Sequence, residues 1–174
     1  MSKRYLIIVL AAVTVTAIVT VFAYKPVSLF VYSIREPYFI RPINAVNAKM
    51  VVRNDAHGDG EFGSKRRNGR SHSGIDILAQ VGTPVYAAKS GIAFKAEVPT
   101  GYGKYVMIYH PDGYQTYYGH LSEWAISPVQ YVNRGDLIGY VGKTGNAASK
   151  SIEPHLHFEI RKDGEPQDPR RLMR

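Results

Sequence analysis

The 174-residue sequence contains no cysteine. Thiolate metal ligands, cysteine nucleophiles and disulfides are therefore excluded. Internal repeats and low-complexity tracts are missing too, as is any recognition-helix or basic-repeat pattern of a nucleic-acid binder. Acidic side chains are few, 14 against 22 Lys and Arg, for a formal net charge of +8. That balance invites a partner of opposite sign. With nucleic acid set aside, anionic lipid heads or an acidic cell-wall polymer fit it. From Val51 onward no segment holds a helical period, which removes helical architectures from that part of the chain.

What is present begins with a short basic lead, residues 1–4. It runs into Tyr5–Tyr24, about twenty residues without a charge and long enough to cross a bilayer as a helix. The basic flank predicts a cytoplasmic N-terminus and an exported remainder. A retained anchor is preferred over a cleaved signal peptide because the apolar core exceeds the length usual for such signals, although Val21-Phe22-Ala23 resembles a cleavage site. Residues 25–50 carry Pro26, Pro37 and Pro42 and several aromatics, and read as a semi-rigid stalk. Val27–Ile34 is an alternative interfacial helix.

Residues 51–174 read as one domain of short β-runs punctuated by glycine. Strands are expected near Gly74–Leu78, Pro84–Ala87, Gly91–Val98, Tyr105–His110, Tyr114–His120, Leu137–Val141 and His155–Arg161. Turns at Gly82-Thr83-Pro84, Pro99-Thr100-Gly101, Pro111-Asp112-Gly113 and Asn133-Arg134-Gly135-Asp136 separate them. The fold class is all-β, as two packed sheets or a partly closed barrel.

Six histidines are the candidates for chemistry. In a strand, His155 and His157 share one face while Leu156, Phe158 and Ile160 enter the core. Two imidazoles on one face begin a metal site, and a catalytic zinc usually has three protein ligands. His72 and Asp76 lie in Arg70-Ser71-His72-Ser73-Gly74-Ile75-Asp76-Ile77, a loop entering a strand, where Asp76 faces away from two core aliphatics. It is either a solvated position or a ligand. Three His and Asp ligands suit Zn²⁺ and leave a fourth position open. His110, before a tight turn, is expected to make a turn hydrogen bond, and nothing is assigned to His57. Lys65-Arg66-Arg67 with Arg70 reads as a solvated basic face, with attraction of an acidic polymer as the alternative. Tyr102, Tyr114, Tyr117 and Tyr118 line a groove or pack; alternation puts Tyr118 on the face of His120, favouring it near the site.

Motifs follow one another in order: His72-Ser73-Gly74-Ile75-Asp76-Ile77, Gly82-Thr83-Pro84-Val85-Tyr86-Ala87, Gly101-Tyr102-Gly103, Tyr118-Gly119-His120-Leu121-Ser122, Val141-Gly142-Lys143-Thr144-Gly145 and Pro154-His155-Leu156-His157-Phe158-Glu159-Ile160. Together they resemble a lysostaphin-type (LytM-type) zinc metallopeptidase domain over residues 60 to 170. The resemblance implies a duplicated-hybrid-motif-like β-sandwich or barrel, one zinc held by His72, Asp76 and His157, and catalytic roles for His120 and His155. Of these two, His155 is the expected base and His120 the stabiliser of the oxyanion or donor to the leaving amine. No His-Glu-x-x-His helix is present, so the glutamate base of that class is unavailable. The implied activity is an endopeptidase acting on the stem or cross-bridge peptides of bacterial peptidoglycan, in the cell envelope.

The alternative is an inactive wall-binding or amidase-activating module of the same fold, which should purify without stoichiometric zinc. A lipoyl-like or sugar-phosphotransfer domain shares the glycine-punctuated texture, but an exported N-terminus counts against it. Asp55–Gly69 and Asn146–Glu153 are longer or more polar than the family pattern and put the substrate preference in doubt.

Overall fold

The computed structural model describes residues 2–43, 50–66 and 69–174, without the side chains of Val19, Val21, Phe22, Ala23 and Lys25. The chain divides into two units, Met1–Pro37 and Tyr38–Arg174.

The first unit is helix α1, Lys3–Arg35. Ser2 caps it by accepting from the Tyr5 N–H at 3.4 Å, and the helix ends before Pro37, whose ring disfavours helical backbone in the residue preceding it. Pro26 lies inside α1. Lys25–Arg35, expected as extended spacer with a short helix over Val27–Ile34 as the alternative, is therefore helical, since one missing N–H does not outweigh the hydrogen bonds of the turns on either side. Among the described residues no helix is long and apolar enough to cross a membrane, so the transmembrane segment expected over residues 5–24 is not supported. Val19 and Val21–Ala23 of that run, including the candidate cleavage site, lie outside the described side chains.

The second unit is mostly β and antiparallel. Its strands are β1 (Asn54–Asp55), β2 (Gly58–Asp59), β3 (Ile75–Leu78), β4 (Pro84–Tyr86), β5 (Gly91–Glu97), β6 (Lys104–Tyr109), β7 (Tyr114–Trp124), β8 (Val129–Val132), β9 (Leu137–Val141), β10 (His155–Lys162) and β11 (Glu165–Gln167), with a 3-10 turn at Gly145–Ala148 and a one-turn helix α2 at Pro169–Leu172. β1 and β2 form a small ribbon. The large sheet runs β11-β10-β7-β6-β5-β8, with β3 on β10 and with β9 joining β4 to β7. All seven expected strands are present. β1, β2 and β11 are too short to leave an alternating pattern, and β8 is an edge strand exposed over its first three residues.

β7 organises the unit. Its first half pairs with β6 and β10, and its end pairs with β9. Between β6 and β7 the register shifts, so that Lys104 faces Leu121 while Val106 faces Tyr118. One extra residue on β7 makes a bulge, and His120 within it has φ 63°. Bulges bend a strand and re-aim side chains. Here the bulge carries β7 from one layer to the other. Ile75, Val106, Ile108, Tyr118, Leu156, Phe158 and Ile160 of the large sheet share one core with Val85, Ile138 and Val141 of the β4–β9 pair.

The chain just after Pro37 belongs to this unit. Phe39 is buried, its ring sits edge-on to His110 and Tyr114, and its backbone bonds with Leu172 and Arg174. Residues 44–49 of the expected stalk lie outside the described residues.

Candidate metal centre

Antiparallel pairing places β10 between β3 and β7. In that register His157 stands opposite Asp76 on one side and Gly119 on the other. His155, two residues before His157, shares its face, while Leu156 and Phe158 point to the core with no exposed surface. His72 arrives from the loop just before β3. His120 is on the core phase of β7 by simple alternation; the bulge turns it to the opposite face. Strand alternation therefore misplaces Tyr118. It is wholly buried, and its hydroxyl accepts from the Ala88 N–H at 2.8 Å and from Thr116 at 3.0 Å.

All five candidate residues are buried and come together. Asp76 Oδ1 lies 3.1 Å from His72 Nε2 and 2.8 Å from His157 Nδ1, and the two nitrogens are 3.0 Å apart. These three ligand atoms lie within 4.8 Å of one another. His155 Nε2 is 3.9 Å from the same carboxylate oxygen. The His120 ring stands edge-on to His155, with centroids 4.9 Å apart.

The outer ring nitrogens decide which inner ones are free. His72 Nδ1 faces the Glu61 carbonyl at 3.0 Å, His155 Nδ1 the Glu153 carbonyl at 2.7 Å, and His120 Nδ1 the Thr144 carbonyl at 2.9 Å. A carbonyl only accepts, so each of these nitrogens carries the hydrogen and each Nε2 presents a lone pair inward. His157 is turned the other way. Its Nε2 donates to Glu159 Oε1 at 2.8 Å and its Nδ1 faces inward. Once His157 gives up its Nδ1 proton, two imidazole lone pairs and a carboxylate oxygen converge on one point, where a cation satisfies all three. Such a donor set fits zinc, and the hydrogen bonds behind it are those that orient histidine ligands.

Without a metal, a proton on His157 supplies that positive charge. Burial opposes ionisation of Asp76, but hydrogen bonds and charge from His157 and His72 hold its carboxyl far below the usual range. Burial also disfavours a charged His157, yet Asp76 and Glu159 outweigh it and push that imidazole up to about 9. His120 goes the other way. Burial, then the charges of His157 and His155, bring it down to about 3. Burial lowers His155 as well. At neutral pH these two imidazoles are uncharged acceptors beside the charged His157–Asp76 pair.

Nothing in the motif marks Glu159, although alternation puts it on the face of His155 and His157. It is wholly buried and accepts from His157, from Ser73 Oγ at 2.5 Å, from Tyr102 at 2.8 Å and from Arg161 Nε at 2.7 Å. Burial raises its carboxyl, but these partners, His157 foremost, hold it near 2. Tyr102 lies against the His157 ring and stacks on Tyr117, so this pair lines the site. Tyr114 packs on Phe39 away from it. Arg66 is half-buried and not part of a solvated face: it reaches Asp76 Oδ2 at 3.1 Å. Arg67 lies outside the described residues. His110 makes the expected turn bonds through its backbone, its carbonyl accepting from the Gly113 N–H at 3.1 Å and its N–H donating to the Tyr114 carbonyl at 2.9 Å, while ring Nδ1 donates to the Ser90 carbonyl and Nε2 lies 2.9 Å from Thr116 Oγ1.

Residues 70–169 match peptidase family M23. The chain belongs to this family. Among relatives, the DD-carboxypeptidase/endopeptidase Mpg of Neisseria meningitidis serogroup B is 48% identical over 102 residues, 58% of this chain and 22% of its own length. The peptidoglycan DD-endopeptidase ShyC of Vibrio cholerae is 37% identical over 101 residues, again 58% of this chain and 22% of its own length. The chain thus spans about a fifth of the length of these curated relatives. Among solved structures, a zinc-containing peptidase from Vibrio cholerae superposes with a TM-score of 0.62 at 29% identity, over 76% of this chain and 39% of that one. The catalytic domain of lysostaphin from Staphylococcus simulans gives 0.56 at 33% identity, over 64% and 86%.

Proposed function

We propose that this M23 chain is a zinc-dependent endopeptidase that hydrolyses peptide cross-links of bacterial peptidoglycan. The observation that carries this reading is the convergence of His72 Nε2, Asp76 Oδ1 and His157 Nδ1 within 4.8 Å of one another, with two uncharged imidazoles at the rim. The relative ShyC, named a peptidoglycan DD-endopeptidase, supports the substrate class.

His72, Asp76 and His157 would hold the zinc, which supplies Lewis acidity to a peptide carbonyl and to a water. His155 takes the proton of the attacking water on Nε2, while its Nδ1–H stays on the Glu153 carbonyl. Proximity of His155 Nε2 to the ligand oxygen of Asp76, 3.9 Å, favours it over His120 as base. His120 also presents an unprotonated Nε2. It can donate to an oxyanion or a leaving amine only after accepting a proton, so its role falls later in the reaction. Tyr102 and Tyr117 shield the His157 side from water.

Attachment of the chain to the cytoplasmic membrane, with Tyr38–Arg174 outside, is part of the same proposal. Its support is the uncharged run Tyr5–Tyr24 after a basic lead and the Thr14, Thr16 and Thr20 hydroxyls, which bond back to helix carbonyls at 2.8–2.9 Å and so hide their polarity. Release of the chain from membranes by alkaline carbonate would rule attachment out.

The activity is tested with purified cross-linked muropeptides, their products identified by mass. Cleavage that stops with a chelator and returns with zinc is expected. Cleavage that persists without metal sinks the mechanism.

A further inference from the structure

Asp76 has a second oxygen, and it faces a part of the chain that the family match leaves out. Residues 51–60 lie alongside β3, where Val52 bridges Ile77. Arg53, one residue on, is 4% exposed. Its NH2 lies 3.0 Å from Asp76 Oδ2, and its NH1 lies 2.5 Å from Asp55 Oδ1. The backbone follows the same route. The Arg53 N–H donates to the Asp76 carbonyl at 2.9 Å, the Gly60 N–H to the Arg53 carbonyl at 2.7 Å, and the Asp76 N–H to the Gly60 carbonyl at 2.9 Å. A Cβ on Gly60 would come within 2.8 Å of the Arg53 carbonyl oxygen and of Asp76 Cβ, so the arm closes this tightly only with glycine there. Asp55 is itself held by the His57 N–H at 2.8 Å.

We propose that Arg53 and Asp55 are positioning residues of the metal centre: Arg53 fixes Asp76 as a one-oxygen ligand, and Asp55 cancels the charge Arg53 brings. This rests on the zinc reading above. The physical need is specific. A buried carboxylate free to rotate would offer either oxygen to three imidazoles, and metal affinity would fall with the lost geometry. A guanidinium prevents that rotation, since its planar fork engages Asp76 and Asp55 together. Left alone, though, a buried cation beside the centre would repel the zinc and would itself be costly to bury. Asp55 answers both difficulties. Arg66 adds a second contact to Oδ2, but from a half-exposed side chain, so less is expected of it.

The test is a zinc titration of the full-length chain against a chromogenic chelator, with the metal-free thermal midpoint measured in parallel. Arg53→Gln is expected to weaken zinc binding by about 10–100-fold. Arg53→Lys, which keeps the charge and loses the fork, should recover only part of it. Asp55→Asn should also weaken binding, with Arg53 intact, because the uncompensated cation remains. If Arg53→Gln does not fold, Asp55→Asn and Arg53→Lys still decide the matter. Variants that fold with an unchanged midpoint and bind zinc within about twofold of the parent overturn the proposal, because outer partners of a metal ligand normally matter far more. A parent chain that binds no zinc overturns it together with the zinc reading. If the parent and its variants show the expected order of affinities but the parent cuts no muropeptide, the positioning role stands and the endopeptidase reading falls.

Discussion

Glu159 Oε1 lies 2.8 Å behind Nε2 of His157, on the side of the ring away from Asp76. This contact is what makes His157, alone among the site histidines, face inward with Nδ1. Glu159→Gln keeps the shape but can present its amide N–H₂ to the ring and favour the wrong tautomer. Zinc affinity should fall by about 10–100-fold. Glu159→Ala also strands Arg161, whose NH2 lies 2.7 Å from Glu159 Oε2. Its cost should be about 3 kcal/mol, as for breaking a buried ion pair, read from urea unfolding of the metal-free protein. A Glu159→Ala protein as stable as the parent would show that the network contributes nothing.

His155 and His157 separate by role although they share a strand face. His157→Ala removes a ligand atom, so both zinc content and cleavage should be lost. His155→Ala should keep about one zinc per chain while turnover drops by about 10²–10⁴-fold, the usual contribution of a general base. Metal analysis beside muropeptide digestion reads both. Loss of zinc in His155→Ala would make it a ligand and undo the division of labour.

The legible part of this molecule was what alternation and turn chemistry govern. The strand at His155–Lys162, its two-faced pattern and the turn at Pro111-Asp112-Gly113 follow from spacing alone. The pairing of His157 with Asp76, 81 residues away, does not, because register between distant strands is set by the packing of the whole sheet. His120 shows the same limit from the other side. Period-2 alternation groups it with Tyr118, and only the bulge at φ 63° sends the two side chains to opposite faces. Arg53 left no mark in the sequence, since an arginine in a polar run looks like any solvated charge. Pro26 misled in a simpler way, as its helix continues past it to Arg35.

Acid should weaken the metal-free protein through His120. In the folded state burial holds this imidazole down at about 3, against an ordinary 6.5. Between those values the unfolded chain binds a proton that the folded chain refuses, so stability falls as pH drops from 6.5 towards 3. Urea midpoints measured across that range should decline, and less steeply in His120→Gln, which has nothing to protonate there. Equal slopes in both proteins would mean that His120 is not buried in its neutral form.

Thr144 fixes His120, and a glycine contact fixes Thr144. The Thr144 carbonyl accepts from His120 Nδ1, while its hydroxyl accepts from the Lys104 N–H at 2.9 Å and donates to the Leu121 carbonyl at 2.9 Å. Beneath it Gly103, at φ 64°, passes so close to Gly145 that a Cβ would lie 2.4 Å from the Gly145 nitrogen and the Thr144 carbonyl carbon. Gly103→Ala should therefore cost about 2 kcal/mol or more, from left-handed backbone strain plus the collision. It should also cost turnover by about a hundredfold, because a displaced catalytic group loses its alignment, while zinc content is kept, since no ligand sits on this loop. Gly82→Ala is the matched control. It has φ 86° and nothing within 4 Å of the added carbon, so it carries the strain without the collision and should leave turnover unchanged. Equal turnover in the two variants would show that the Gly103–Gly145 contact does not set the position of His120.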